Sequence, residues 1–263
     1  MTRSFEATIA ICLCLAASPA FAGHVDDVRE GDARRLSALD KSADDPDELY
    51  RQREDLASVT RAAALWSDTA ATDFEAAWKL ARAAYWIGTH ARESERRAAL
   101  EHGLSAGEAA VRLQPNRPEG HFWLAVNMGA LAESFGVSQG LKYRSRIKSE
   151  LERAIAIDPS WEQASAETVL GQWYAKVPRL FGGSRAKAEE RFRRVLEQFP
   201  QSKNALWFLA GLLIAQDRTA ESRALLQRVI EAPIDPAWAP EDRELKRKAT
   251  ERLRTLGPGD RQL

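Results

Sequence analysis

Thiols are almost missing from this chain: two cysteines stand among 263 residues, and both, Cys12 and Cys14, fall in a short apolar run near the start. Beyond them no residue can form a disulfide, give a thiolate to a metal or act as a cysteine nucleophile. Net charge is missing too, since 38 basic residues balance 38 acidic ones, so no overall field favours nucleic acid or an anionic membrane. No segment alternates apolar and polar residues between turn clusters, which leaves no strand signal. No apolar run after Ala22 reaches the length that a membrane span needs. The histidines, His24, His90, His102 and His121, lack the two-per-turn spacing of a zinc helix. A phosphate-binding loop and a glycine-flanked serine elbow are also absent. The chain thus offers no metal site, no cofactor motif and no catalytic constellation, and reads as non-enzymatic.

What is present begins with Arg3, an apolar run from Ile9 to Ala17, and Pro19-Ala20-Phe21-Ala22 before Gly23. A basic start, a short apolar core and a small-x-small end predict a signal peptide over residues 1–22, cleaved near Ala22–Gly23. Neither cysteine has the small residues before it that lipid attachment requires. The expected location is therefore periplasmic, without a lipid anchor. Residues 23–45 are polar, with Asp26-Asp27 and Asp44-Asp45, and read as a loose start followed by one weak helix at about 29–42.

From residue 46 the chain changes character. Asp45-Pro46 reads as an N-cap followed by proline at the first helical position, and one helix is expected from there to about Trp66. Phe74, Ala77, Trp78, Ala81, Ala84 and Tyr85 then recur on one stripe, and Leu104, Ala110, Val111 and Leu113 on the next. Pro115, Pro159, Pro200 and Pro233 follow helix endings at intervals of 44, 41 and 33 residues. Proline in a helix interior costs about 3 kcal/mol, so these residues mark boundaries. Large, small and aromatic residues at fixed offsets, closed by proline, are what paired helices need in order to stack on copies of themselves.

The predicted fold is all-α: a tetratricopeptide-like helical-hairpin solenoid over 46–257, with extra N-terminal helices and a C-terminal capping helix. Its repeats are placed at about 72–117, 118–160, 161–201 and 202–236, the cap at 240–256 and a tail at 258–263. The cap expectation rests on Leu245, Ala249, Leu253 and Leu256 sharing one face of a charged helix.

Trp78-Lys79-Leu80-Ala81-Arg82-Ala83-Ala84-Tyr85-Trp86, His121-Phe122-Trp123-Leu124-Ala125-Val126-Asn127, Leu170-Gly171-Gln172-Trp173-Tyr174 with Gly182-Gly183, and Asp235-Pro236-Ala237-Trp238-Ala239-Pro240-Glu241-Asp242-Arg243 carry a resemblance. With them the chain resembles the T-component of TRAP transporters and, more distantly, the regulator of microtubule dynamics family. The first resemblance implies an exported accessory to solute uptake whose partner is a periplasmic solute-binding protein, and it lends no catalytic residues. The alternatives are a general envelope interaction scaffold and a carrier of a small organic ligand on the concave face; self-association is compatible with each.

Continuing each first helix from its packing residues turns Lys79, Trp86, Phe122, Val126, Gln172, Lys176 and Trp207 towards the concave surface. They are the candidate contacts for a partner or ligand, since aromatic side chains concentrate binding energy when desolvated. Trp86, Phe122 and Trp207 equally suit plain filling between repeats. Phe181, Gly182 and Gly183, in a loop longer than a repeat needs, form a candidate docking edge, with Ser184 expected to cap the next helix.

Overall fold

The computed structural model describes residues 45–135 and 137–256. The leader at 1–22, nearly all of the polar segment 23–45 and the tail 258–263 lie outside the described residues.

Among the described residues the chain forms eleven α-helices: α1 (Pro46–Arg51), α2 (Leu56–Ser67), α3 (Phe74–His90), α4 (Glu93–Leu113), α5 (Pro118–Ser134), α6 (Val137–Ile157), α7 (Trp161–Lys176), α8 (Arg185–Gln198), α9 (Lys203–Ile214), α10 (Thr219–Glu231) and α11 (Ala239–Thr255). Single 3-10 turns stand at Arg179–Phe181 and Pro236–Trp238. The all-helical hairpin solenoid expected from the sequence is what the chain forms. Successive helices pair as α3 with α4, α5 with α6, α7 with α8 and α9 with α10. The first helices of neighbouring pairs also touch, α3 on α5, α5 on α7 and α7 on α9, and so line the inner surface.

One departure concerns the start. The helix expected from Pro46 to Trp66 is broken into α1 and α2, because the Asp55 side chain accepts the amides of Ala57 and Ser58 at 3.3 and 3.0 Å and starts a new helix. An N-cap aspartate satisfies donors that a continuous helix would bond to the preceding turn. The break has a consequence for position: Arg53, in the turn, points into the protein and is 2% exposed.

Small residues set the spacing of α3, α4 and α5. Ala77, Ala81 and Ala84 of α3 and Ala106 and Ala110 of α4 are buried, and a Cβ on Gly107 would lie 2.8 Å from the Leu124 Cα of α5. Backbones that close leave no room for a larger side chain. Asn127 ties α5 to α3 through Nδ2, which donates to the carbonyls of Ala81 and Trp123 at 2.9 and 2.8 Å. His121, also buried, is held between Glu150 at 2.6 Å and the Pro115 carbonyl at 3.0 Å, in keeping with a packing histidine.

Helix α7 opens in the opposite hand. Glu162, Gln163 and Ala164 have φ of 47, 56 and 59°, a left-handed turn that costs each non-glycine residue about 1–2 kcal/mol. Ala164 N donating to Ser160 O at 3.2 Å and Ser165 Oγ donating to Glu162 O at 2.6 Å hold it. Regular helix follows to Lys176.

Candidate functional site

The C-terminal helix does more than cover the last repeat. It packs on α10 and α9, and its leading end returns to the start of the solenoid. Arg53 donates from Nε to Glu241 at 2.9 Å and from Nη2 to the Ala237 carbonyl at 2.9 Å, and Nη2 also meets the second Glu241 oxygen. Arg243 pairs with Glu54 at 2.6 Å, and His90 approaches Glu244 at 3.4 Å. The first and last elements of the described chain are thereby bridged. Exposed pairs of this kind hold about 0–1 kcal/mol each, so the buried Arg53 carries most of the closure.

Behind that bridge lies a cluster of rings and guanidinium groups. The Tyr50 ring has Arg82 3.9 Å and Arg53 4.7 Å from its centroid. Arg82 also lies 4.9 Å over Trp78, and Arg53 5.4 Å over Trp86. Trp123 contacts Tyr85 at 5.9 Å, Phe122 at 5.1 Å and, in a stacked arrangement, Trp238 at 6.5 Å. Trp238 in turn donates to Glu162 at 3.1 Å, the carboxylate that the left-handed turn presents. Strain held at such a position is characteristic of sites where orientation matters.

Electrostatics in the cluster follow from burial. Desolvation pushes the Tyr50 hydroxyl up to about 12, against the pull of Arg82 and Arg53. Tyr85 is likewise raised to about 12 by burial, with Glu133, Glu244 and Glu241 adding to it. Arg82 is held below the usual guanidinium range, first by burial and then by Arg53. No carboxylate among the described residues pairs with Arg82. Its Nε and the indole nitrogens of Trp86 and Trp123 are buried donors without an acceptor.

The expected contact residues are distributed unevenly. Lys79 donates to Asp47 of α1 at 2.7 Å, Trp86 is buried and stacked 3.7 Å from His90, and Phe122 is buried with Trp161 5.0 Å away. These three border the cluster. Val126, Gln172 and Trp207 are half-buried along the inner helices, and Lys176 is exposed and bonded to Glu133 at 2.6 Å. Sequence reasoning missed Tyr50, Arg53, Arg82, Trp123 and Trp238 as one group. One signal was available, the four-residue spacing of Trp78, Arg82 and Trp86, which puts a cation between two indoles on one helix face.

The loop after α7 is built as a rigid turn. Phe181 N and Gly183 N donate to the Pro178 carbonyl at 2.8 and 3.2 Å, Gly182 has φ 98°, and Ser184 caps α8 by accepting from Lys187 N at 3.3 Å. Leu180, beside the expected Phe181, is the most exposed large apolar residue described, at 87%.

The family described as Regulator of microtubule dynamics protein 1-3 matches residues 43–257. The chain belongs to this family. Regulator of microtubule dynamics protein 3 of Rattus norvegicus is 32% identical over 105 residues, and that of Bos taurus 33% over 104. Each match covers 39% of this chain and 22% of the mammalian protein. Among solved structures, a thermophilic tetratricopeptide protein of Thermus thermophilus, TTC0263, superposes with a TM-score of 0.60 at 24% identity. It covers 79% of this chain and 97% of its own, a likeness of fold.

Family membership corrects one expectation. The periplasmic location read from the N-terminal pattern is overturned, because the family is one of regulators of microtubule dynamics and its matched members come from mammals, whose cells have no periplasm. The comparisons support the more distant of the two resemblances and lend none to the TRAP T-component.

Proposed function

We propose that this chain is a non-catalytic protein-interaction scaffold that acts in the process for which its family is named, the regulation of microtubule dynamics. The observation that carries the reading is the cluster between α3, α5 and the returning Pro236–Trp238 turn, where Arg82 Nε, Trp86 Nε1 and Trp123 Nε1 are donors without acceptors. Three unanswered N–H groups among aromatic side chains suit a partner segment that brings a carbonyl or carboxylate. Tryptophan, tyrosine and arginine are also the residues in which binding energy concentrates. In this proposal the partner takes the place now held by Trp238, and Lys79, Trp86, Phe122, Val126, Gln172, Lys176 and Trp207 form its track. The division into repeats at 72–117, 118–160, 161–201 and 202–236 with a cap at 240–256 belongs to the same proposal. The accessory role in TRAP-type uptake needs a periplasmic partner and is not carried forward.

Tubulin assembly followed by turbidity tests the proposal. Equimolar protein is expected to change the rate of assembly. Arg82→Gln removes a donor and weakens the effect about tenfold, whereas Trp238→Ala removes the competing ring and strengthens it. No effect at stoichiometric protein refutes the microtubule role, and an effect that both variants leave intact refutes the site. A second reading, a carrier of a small organic acid, is favoured by the donor-only character of the same three groups. Titration calorimetry with carboxylate ligands, lost in Arg82→Gln, tests it.

A further inference from the structure

Charge that balances over the whole chain is placed unevenly. Residues 134–149 contain Lys142, Arg144, Arg146 and Lys148 and no acid, and residues 168–188 contain Lys176, Arg179, Arg185 and Lys187 and again no acid. The two stretches meet at the loop after α7. The Arg144 guanidinium lies 4.8 Å from the centroid of the Phe181 ring, and the Arg144 carbonyl accepts from Trp173 Nε1 at 3.1 Å. Some of these cations are answered, Lys176 by Glu133, Arg146 by Glu108 and Lys148 by Glu152. Among the described residues no carboxylate answers Arg144, Arg179, Arg185 or Lys187; Arg144 and Lys187 rest instead over the Phe181 and Tyr174 rings.

At the tip of this basic edge stand Leu180 and Phe181, 87% and 42% exposed. The turn that holds them outward is fixed from both sides. Gly182 supplies φ 98°, Ser184 N donates to the Tyr174 carbonyl at 2.8 Å, and a Cβ on Gly183 would come 1.6 Å from the Val177 oxygen. Leu180 is held in water and stabilises nothing within the chain, and Phe181 keeps part of its ring in water beside the Arg144 guanidinium; burial of the pair elsewhere is favourable. A protruding apolar pair with Arg179 beside it in the chain and Arg144 against the Phe181 ring matches an anionic bilayer, whose headgroups meet the charges while its acyl boundary receives the side chains. An acidic segment without apolar side chains would satisfy the cations and leave Leu180 in water.

We infer that this edge docks on an anionic phospholipid bilayer, with Leu180 and Phe181 entering the acyl boundary and Arg144, Arg179, Arg185 and Lys187 meeting lipid phosphates. The site is separate from the cluster under Trp238, and its test does not depend on the scaffold reading. The full chain is sedimented with phosphatidylcholine vesicles, with or without about a third of phosphatidylglycerol. It is expected to bind the anionic vesicles alone and to be released as salt screens the contact. Leu180→Ser with Phe181→Ser lowers partitioning about tenfold, and Arg179→Gln with Arg185→Gln and Lys187→Gln about a hundredfold at low salt. All five side chains are exposed, so unchanged melting shows that folding is intact in both variants. Equal binding to the two vesicle types, or full binding by the serine variant, overturns the inference. So does capture by polyglutamate with indifference to vesicles, which would assign the edge to an acidic protein segment.

Discussion

Replacing Arg53 by methionine separates a closed solenoid from an open one. The substitution keeps aliphatic bulk beside Tyr50 and Trp86 and removes the bonds to Glu241, to the Ala237 carbonyl and, at 3.3 Å, to the Tyr50 carbonyl. Breaking a fully buried ion pair costs about 3–5 kcal/mol, because the surviving charge is left in a poor solvent. Here the side chains are 2% and 25% exposed. Glu241 therefore recovers part of its hydration, which brings the expected loss to about 2–4 kcal/mol. Glu241→Gln keeps a neutral acceptor in place but leaves the Arg53 charge, 2% exposed, without its counter-ion, and is expected to cost at least as much. Urea unfolding gives the magnitude, and hydrogen exchange read by mass spectrometry gives the place. In Arg53→Met, exchange is expected to quicken first at Pro236–Trp238, at the start of α11 and in the turn around Arg53, while α5 and α6 keep their protection. A loss under about 0.5 kcal/mol, or exchange that quickens evenly along the chain, refutes the argument, since the bridge would then carry no more than an ordinary surface contact.

Three other outcomes test separate parts of the structure. Gln163→Gly is expected to stabilise the protein by about 1 kcal/mol because φ is 56° there, whereas in a right-handed helix the same change costs about 1 kcal/mol; a lower melting temperature contradicts the left-handed turn. Gly183→Ala is expected to cost more than about 2 kcal/mol, with the 1.6 Å approach to backbone forcing the loop to rebuild, while Gly211→Ala, with nothing within 4 Å, gains up to about 1 kcal/mol. Equal effects in chemical denaturation would rule that contrast out. Tyr50 and Tyr85 are raised from 10.0 to about 12 in the folded protein, so the folded state retains protons that the unfolded state releases. Their contribution is complete below pH 10 and is lost as pH rises towards 12. Melting temperature should fall across that window, less so in Tyr50→Phe, with phenolate absorbance appearing as the protein unfolds; absorbance that develops near pH 10 before unfolding contradicts the burial.

The hairpin architecture was legible because its signals are local. Prolines mark helix ends, stripes recur at three or four residues, and alanines mark where helices close. The break at Asp55 was less legible, since Leu49, Leu56, Val59, Ala63 and Trp66 continue one periodicity across it, and the cap competes with that pattern only through a single carboxylate. The left-handed turn at Glu162 has no glycine to announce it. Lys79, Trp86 and Phe122 were found by extending helix faces inward, and they do border the cluster. The meeting of Tyr50 and Arg53 with Ala237 and Glu241 depends on curvature accumulated over several hairpins, which no window of sequence contains. The export-like pattern before Gly23 pointed to a compartment that family membership excludes, because a short basic and apolar stretch specifies far less than a match over 43–257.

The bridge between Arg53 and Glu241 also has a bearing on how the chain folds. Repeat proteins in which each unit meets only its neighbours fold by propagation, and their contacts are close in sequence. Bonds that join residues 184 to 189 positions apart add a different kind of event. They form only after the intervening hairpins have set the distance between the ends, so Arg53 should influence the rate of unfolding and leave the rate of folding almost untouched. A solenoid sealed in this way resists unravelling from either end, and its lifetime is governed by how often that seal opens.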